Sequence, residues 1–379
     1  MAKKPRAAAA DAPPPPPTGD VLRPPAEAQY VDELATLAAA DSGPKPPGWR
    51  LSPRAVRDFI CGSREAGVRR KYFGDDVMVE RAIVSLSSNR GLMLVGEPGT
   101  AKSMLSELLA AAISGTSAHT IQGTAGTTED HIKYSWNYAL LLAEGPTPRA
   151  LVASPLYVAM RDGLVVRFEE ITRCPPEIQD TLVSILSEKV MVVPELDGPD
   201  RIRNARPGFN VIATANTRDR GVHEMSSALK RRFNFETVHA IRELRQEVDL
   251  VARECDRLLR EASAPAKVDR DVVELLVTVF HDLREGVTRE GVQIDRPSTV
   301  MSTAEAVSVG MAAGLDAYYY GEGDLRPGHV ARHLGGAVLK DNPDDLKKLR
   351  HYFDVVVKQR SQKEGGLWTE LLEARKGLP

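Results

Sequence analysis

The stretch LMLVGEPGTAKS, residues 92–103, decides the fold of this chain. Its four apolar residues, 92–95, are long enough for a buried parallel strand, and after a glycine turn helix-forming residues run from 104 to 113. A strand, a glycine turn, Lys-Ser and a helix together form an arrangement that binds a nucleotide phosphate, because backbone N–H groups and the positive helix end point at the anion. We therefore predict a phosphate-binding loop at this point.

Each position of the loop has a part in this prediction. Lys102 is placed to reach the β- and γ-phosphates, and the Ser103 hydroxyl is placed to bind Mg²⁺. Ala101 stands where glycine usually precedes the lysine, which is a departure from the standard pattern. The residues predicted to bind ATP are those of the loop itself: Gly96, Glu97, Pro98, Gly99, Thr100, Ala101, Lys102 and Ser103.

The composition of the 379-residue chain is that of a soluble globular protein with two or three domains. A net charge of −2, a pI near 6.5 and a mean hydropathy of −0.26 give no support for binding to nucleic acid or to an anionic membrane. The chain contains neither a run of 18 apolar residues nor a signal peptide, so we expect a cytoplasmic protein without membrane insertion. The widely spaced Cys61, Cys174 and Cys255 are expected to be reduced packing residues.

Composition and periodicity divide the chain into three parts. Residues 1–50 carry eleven of the 26 prolines and predict a disordered Pro/Ala-rich tail, in which 31–40 could form a short helix. Residues 51–239 are predicted to form the nucleotide-binding domain, with an irregular insert at about 123–155 and a hairpin at about 190–205. Residues 240–379 show helical periodicity and predict an all-α lid with C-terminal helices.

A second group of candidate residues follows the apolar strand 164–168, which ends in Glu169-Glu170. A carboxylate at the carboxyl end of a strand beside the phosphate loop can hold Mg²⁺, and the next one can polarise the attacking water. The first residue of such a pair is usually aspartate, so Glu169 is a second departure. We assign the metal to Ser103 and Glu169, and the water to Glu170.

Further candidates lie downstream. A predicted strand, 209–216, ends at Asn216, which could donate to the γ-phosphate and orient the water. The segment SSALKRRF, 226–233, predicts a helix ending in Arg231 and Arg232, either of which could reach the γ-phosphate of a neighbouring subunit. Arg296 precedes a predicted helix, 298–319, and is positioned to point back at the nucleotide from the lid.

The sequential set LVGEPGTAKS, VVRFEEITRCPPEIQDTLVSILSEK, FNVIATANTRD and SSALKRRFNFE resembles the AAA+ superfamily over roughly residues 70–310. Within it the chain looks most like the MoxR branch, which includes the rubisco- and nitric-oxide-reductase-activating ATPases. That branch often has alanine before the lysine, as in GEPGTAKS, and it places an insert and a hairpin at the positions described above. The resemblance implies a P-loop AAA+ core, with a parallel sheet flanked by helices, followed by an all-α lid.

The resemblance also implies roles for particular residues. Lys102 and Ser103 match the Walker A motif, and Glu169-Glu170 matches Walker B. The remaining roles are sensor 1 at Asn216, the arginine finger at Arg232 with Arg231 as second choice, and sensor 2 at Arg296.

Members of the branch usually form hexameric rings and remodel or activate a partner protein in a chaperone-like manner, often with a protein that contains a von Willebrand factor A domain. Two other functions remain open. A nucleotide-gated assembly scaffold with slow hydrolysis would suit the departures at Ala101 and Glu169. A DNA-dependent motor would suit the arginines of the hairpin, although the acidic pI argues against it.

Overall fold

The computed structural model of the chain describes residues 22–217, 223–340 and 342–378. Its helices are α1 Ala26–Gln29, α2 Val31–Ala40, α3 Pro53–Cys61, α4 Asp76–Ser87, α5 Lys102–Ser114, α6 Glu129–Ile132, α7 Tyr138–Glu144, α8 Pro155–Asp162, α9 Pro176–Glu188, α10 Ser227–Lys230, α11 Leu244–Glu261, α12 Arg270–Glu285, α13 Thr303–Tyr320, α14 Pro327–Val338, α15 Asp344–Tyr352, α16 Lys358–Glu364 and α17 Gly366–Glu373. Its strands are β1 Gly91–Gly96, β2 Thr120–Gln122, β3 Tyr134–Trp136, β4 Leu151–Ala153, β5 Val165–Glu169, β6 Val190–Val192, β7 Ile202–Asn204, β8 Asn210–Asn216 and β9 Phe233–Thr237.

Five parallel strands form the central sheet in the order β2-β5-β8-β1-β9. Side chains of β1 alternate between its two faces: Leu92 and Leu94 pack with α3, α4 and α5, and Met93 packs with α8 and α9. The predicted parallel sheet flanked by helices is therefore confirmed. Because the strands are parallel, their carboxyl ends meet at one edge, where Gly96 lies opposite Asn216 and Gln122 lies opposite Glu169.

Two small antiparallel sheets stand apart from the central one. In the insert, β3 pairs with β4, and α7, which follows β3 directly, has no buried side chain. The second pair is β6 with β7, in which Val190 lies opposite Asn204, and it forms the hairpin expected at about 190–205.

Residues 22–50 are folded, so the expectation of a tail up to residue 50 is wrong for this part; the rest of the expected tail, 1–21, lies outside the described residues. Helices α1 and α2 place Ala26 and Leu37 in the same hydrophobic core as α3, α4 and α5, and Trp49 joins them there. These three apolar contacts could not be recognised from the sequence, because the segment has a proline-rich composition. Helix α2 spans the residues expected for a short helix.

The end of the nucleotide-binding domain also differs from expectation. The helix predicted for 226–233 extends only from Ser227 to Lys230, and Phe233 then begins the edge strand β9 beside β1. Only Phe233 and Glu236 of this strand are buried, so its sequence lacks the apolar run that identified the central strands.

The lid consists of α11 to α17 around its own hydrophobic core, as the helical periodicity predicted. Helix α14 was not predicted, because its sequence PGHVARHLGGAV contains three glycines, which disfavour helix. No helix within the described ranges is long and apolar enough to cross a membrane.

Candidate active site

The phosphate-binding loop joins β1 to α5 through two residues in the left-handed conformation. Gly99 has φ of 77° and Ala101 has φ of 67°. Glycine adopts this conformation freely, whereas a residue with a Cβ atom does so at a cost of about 1–2 kcal/mol. This explains why glycine is usual at the position of Ala101, where alanine adopts the left-handed conformation in this chain.

Lys102 is nearly buried at the start of α5. Its Nζ donates to the carbonyl oxygens of Gly96 at 3.0 Å and Glu97 at 2.7 Å. The ammonium group therefore lies inside the curve of the loop, where it can meet the phosphates of a nucleotide.

The loop opens into a cavity of about 740 Å³, a volume suited to a nucleotide-sized ligand. Loop residues from Pro98 to Ser103 form one wall, and residues of α11 and α13 in the lid form another. The remaining wall includes Tyr30 and Phe73, with the Arg253 guanidinium 5.0 Å from the centre of the Phe73 ring. Sequence reasoning missed these three residues, because they belong to no local motif and only the fold brings them together.

Glu169 ends β5 directly beneath the loop and is 5% exposed. Its Oε2 accepts from the hydroxyl groups of Ser103 at 2.7 Å and Thr214 at 2.8 Å. Its Oε1 accepts from Ser106 at 2.6 Å and from the Arg167 guanidinium at 2.9 Å. Burial raises the pKa of this carboxyl, but the hydrogen bonds from Ser106 and Ser103 and the charge of Arg167 outweigh it, so the pKa is lowered overall.

The oxygen atoms around Glu169 form a site that fits Mg²⁺. The carboxylate of Glu169 and the hydroxyl of Ser103 are the hard oxygen ligands that the ion prefers, and they are adjacent. Among the described residues, no three His, Cys, Asp or Glu side chains are grouped so that they could hold a metal. The remaining ligands would therefore come from nucleotide phosphate and water, as is usual for Mg²⁺.

Glu170 turns out of the strand with φ of 54° and lines the cavity. Its carboxylate accepts from Asn216 Nδ2 at 3.4 Å and Gln122 Nε2 at 3.2 Å, and it forms an ion pair with Arg173 at 3.0 Å. The structure thus brings the predicted Glu170 and Asn216 together. Gln122 and Arg173 were not predicted, and the first is recognisable only from its place at the end of the neighbouring strand.

The left-handed backbone of Glu170 lies at the same cavity as that of Ala101. Non-glycine residues with positive φ are uncommon, and within the described ranges they are Ala101, Glu170, Lys189 and Ser263. Two of these four residues border the same cavity. Strained backbone of this kind tends to gather at functional sites, where the surrounding structure maintains it.

The two candidate arginine fingers do not line the cavity of their own chain. Arg232 donates to the Ser187 hydroxyl at 2.8 Å and to the Ala228 carbonyl oxygen at 3.3 Å. Arg231 is exposed, and no described residue forms a hydrogen bond or ion pair with its guanidinium. Neither arginine can therefore act on a nucleotide held by the same chain in this arrangement.

The structure does not bring Arg296 to the cavity, where it was expected to point at the nucleotide. Its side chain is exposed and donates to the Glu285 carbonyl oxygen, outside the cavity. The helix expected from residue 298 begins only at Thr303, because the Ser302 hydroxyl caps it. Ser302 of the lid lies close to the loop, because a Cβ atom on Gly99 would be 2.2 Å from its Oγ.

Comparisons with known proteins identify the family of the chain. Residues 91–233 match the model of the AAA domain (dynein-related subfamily), and residues 245–379 match the model of the YehL-like AAA+ ATPase C-terminal domain. The chain is 51% identical to YehL of Escherichia coli (strain K12) over 357 residues, which cover 94% of this chain and 98% of YehL. The chain belongs to the AAA+ ATPases, and its family is that of YehL, a protein described as uncharacterized.

Two more distant likenesses cover smaller shares of the chain than YehL does. SH1500 of Staphylococcus haemolyticus (strain JCSC1435) is 27% identical over 169 residues, which cover 44% of this chain and 62% of that protein. Among solved structures, NtrX of Brucella abortus in complex with ADP has a TM-score of 0.47 at 11% identity, over 80% of this chain and 66% of NtrX. A likeness of this size carries no argument about function.

Proposed function

We propose that this chain is a MoxR-like AAA+ ATPase that hydrolyses ATP in a ring oligomer in order to remodel or activate a partner protein. The observation that carries the proposal is the meeting of two groups at one cavity. Lys102 and Ser103 lie in the loop, and Glu170 and Asn216 face it from the ends of neighbouring strands. Phosphate binding and water activation require this combination.

The residues divide the work as follows. Lys102 binds the β- and γ-phosphates. Ser103 and Glu169 would hold Mg²⁺, which when bound would offset the negative charge of the phosphates. Glu170 orients the attacking water and accepts its proton. The Asn216 amide, 3.4 Å from Glu170, aligns that water with the γ-phosphate.

The positions of the two candidate arginine fingers support the proposal of a ring. Since Arg231 and Arg232 lie outside the cavity of their own chain, an arginine finger from this segment would have to act on a neighbouring subunit. Resemblance to the MoxR branch favours a hexamer, a chaperone-like role and a partner with a von Willebrand factor A domain.

The first test replaces Glu170. Glu170→Gln should retain ATP binding, because Lys102 and Ser103 are untouched, and should lower turnover by about 100-fold or more through loss of the proton acceptor. Phosphate release at saturating ATP and the affinity for ATP measure the two effects separately. Glu144→Gln is the matched control, since Glu144 also pairs with an arginine but lies outside the cavity. Wild-type turnover in Glu170→Gln would remove the assignment.

A nucleotide-gated scaffold with slow hydrolysis is the second candidate. It is favoured by the two carboxylates at the end of β5, because both form ion pairs, Glu169 with Arg167 and Glu170 with Arg173. An arginine that holds the Glu170 carboxylate competes with the attacking water for its oxygens, which would slow the activation of water. Tight ATP binding combined with phosphate release that stays slow after the ring has assembled would support the scaffold over the motor.

A further inference from the structure

Arg167 is a buried arginine in the middle of β5, and neither the nucleotide-binding loop nor the strand-end carboxylates account for it. It is 8% exposed and lies two residues before Glu169, so both side chains emerge on the same face of the strand. Burying a guanidinium is unfavourable unless charge and hydrogen bonds compensate. Its presence beneath the loop therefore calls for a physical explanation.

The surroundings of Arg167 compensate its charge closely. Its Nη2 donates to Glu169 Oε1 at 2.9 Å and to the Ser103 carbonyl oxygen at 3.0 Å. Its Nε donates to the Ser106 hydroxyl at 2.9 Å, and its Nη1 lies 3.3 Å from Thr120 Oγ1. The guanidinium thus joins the central sheet to the first turns of α5.

Ser106 makes the arrangement possible. It is fully buried on the face of α5 that covers β5, and its small side chain leaves space for the guanidinium. The same hydroxyl accepts from Arg167 and donates to Glu169 Oε1 at 2.6 Å. Arg167 and Ser106 therefore hold one oxygen of the Glu169 carboxylate from two directions.

The other oxygen of Glu169 faces the cation site. Its Oε2 lies 2.7 Å from Ser103 Oγ and 2.8 Å from Thr214 Oγ1. Glutamate has one more rotatable bond than the aspartate usual at this position, so its carboxylate has more positions to choose from and loses more freedom when fixed. A second restraint is needed to keep Oε2 at Ser103, and Arg167 with Ser106 supplies it.

We propose that Arg167 is a positioning residue, which holds Glu169 so that one carboxylate oxygen stays beside the Ser103 hydroxyl for a divalent cation bound with nucleotide. This inference rests on the proposed function, because it requires that the loop binds a nucleotide with its cation. It goes further in treating Arg167, Ser106 and Glu169 as one unit that replaces a single aspartate.

The proposal can be tested because a positioning role and a simple charge effect of Arg167 change the affinity for Mg²⁺ in opposite directions. A positive charge this close to the site repels a second cation, so if Arg167 acted only through its charge, removing it would strengthen Mg²⁺ binding. If it acts by holding Glu169, removing it weakens Mg²⁺ binding. Groups that orient metal ligands in this way typically contribute about 10–100-fold to metal affinity.

The experiment measures the affinity of the full chain for a fluorescent ATP analogue, once with Mg²⁺ and once with EDTA. The ratio of the two affinities is the Mg²⁺ enhancement. Arg167→Leu should lower this enhancement by about 10-fold or more and leave the affinity in EDTA nearly unchanged. Arg167→Leu combined with Glu169→Asp should restore most of the loss, because the shorter carboxylate needs no second restraint.

Two further variants control for folding and charge. Arg360→Leu removes a similarly buried ion pair with Asp282 in the lid, outside the cavity, and should leave the Mg²⁺ enhancement unchanged even if the protein melts at a lower temperature. Arg167→Lys keeps the charge but loses the planar guanidinium that reaches both Glu169 and Ser106. The Mg²⁺ enhancement of this variant should therefore also fall.

The outcomes separate the positioning role of Arg167 from the proposed function. An unchanged or increased enhancement in Arg167→Leu, or full enhancement in Arg167→Lys, overturns the positioning role while the nucleotide site stands. A wild-type chain that binds the analogue neither with Mg²⁺ nor with EDTA overturns the proposed function, and the positioning role fails with it.

Discussion

Arg231 and Arg232 are adjacent in the sequence but have different surroundings. Arg232 is bound to the Ser187 hydroxyl and to the Ala228 carbonyl oxygen, so its side chain helps to hold α9 and α10 together. Arg231 is exposed, and its guanidinium has no hydrogen-bond or ion-pair partner among the described residues. A guanidinium that must reach into a neighbouring subunit has to be available, so the contacts favour Arg231, although family resemblance favours Arg232.

Replacing each arginine should therefore give unequal results. We expect Arg231→Ala to lower ATP turnover by about 1000-fold, the usual contribution of an arginine finger, without weakening ATP binding. Arg232→Ala should lower turnover less than about 10-fold and should chiefly reduce stability. Phosphate release and ATP affinity of the two variants decide between them, with Lys230→Ala as the neighbouring control. A loss of turnover confined to Arg232→Ala would show that the resemblance was the better guide.

At the level of single residues, the sequence predicted the site where a motif keeps its members together. Five residues of the motifs lie at the predicted edge of the sheet: Lys102, Ser103, Glu169, Glu170 and Asn216. The residues that hold these groups in place were not predicted, because they are ordinary polar side chains whose importance comes from a neighbouring strand or helix: Ser106, Gln122, Arg167, Arg173 and Thr214.

At the level of elements, the N-terminal helices show how composition misleads. Pro and Ala suggested a tail, yet Glu27 on α1 accepts from the backbone N–H and hydroxyl of Ser117, and Glu107 on α5 accepts from the backbone N–H of Ala26. These contacts join residues 81 to 90 positions apart. No local pattern reveals such pairs, whereas the start of helix α3 follows local capping rules, with Ser52 as its cap and Pro53 in its first turn.

The attachment of α2 can be measured with two leucines. Leu37 is 5% exposed in the core and Leu22 is fully exposed just before α1. Leu37→Ala should lower the free energy of unfolding by about 2–3 kcal/mol, since it removes buried methyl groups and leaves a cavity. Leu22→Ala should change it by less than about 0.5 kcal/mol. Urea unfolding of both variants provides the measurement, and equal effects would mean that α2 does not belong to the core.

At the level of the whole molecule, the sequence predicted a parallel sheet flanked by helices and a helical lid after it, but not the cavity between sheet and lid. The walls of the cavity come from Tyr30, Phe73, the loop at Lys102, Arg253 and Ala304, which span most of the chain. Their meeting depends on how the lid and the N-terminal helices lie on the sheet. Those positions are set by many distant contacts and not by any motif.

The three cysteines can report on the stability of the separate cores. Cys61 and Cys174 are buried on opposite faces of the sheet, and Cys255 is buried in the lid. Burial, together with the nearby charges of Asp76 and Glu254, raises the pKa of Cys61 and of Cys255 to about 12. The reactive thiolate is therefore almost absent at neutral pH.

Thiol labelling at pH 7 should accordingly be slow in the folded protein, by about 100-fold or more relative to the urea-unfolded chain, because it must wait for local opening. Mass spectrometry of the labelled peptides assigns each rate to Cys61, Cys174 or Cys255. Labelling of any of the three at the rate of the unfolded chain would contradict the buried positions.

Lys102 also supports the loop itself, through its contacts with the carbonyl oxygens of Gly96 and Glu97. The ammonium group spans the turn from within, so it serves as a brace for the backbone as well as a partner for phosphate. Replacing this lysine, a common way to abolish nucleotide binding in such loops, would here remove both functions at once. The affinity lost in Lys102→Ala would therefore exceed the strength of the lysine–phosphate contact, and the difference would report the rigidity that the side chain gives to the loop.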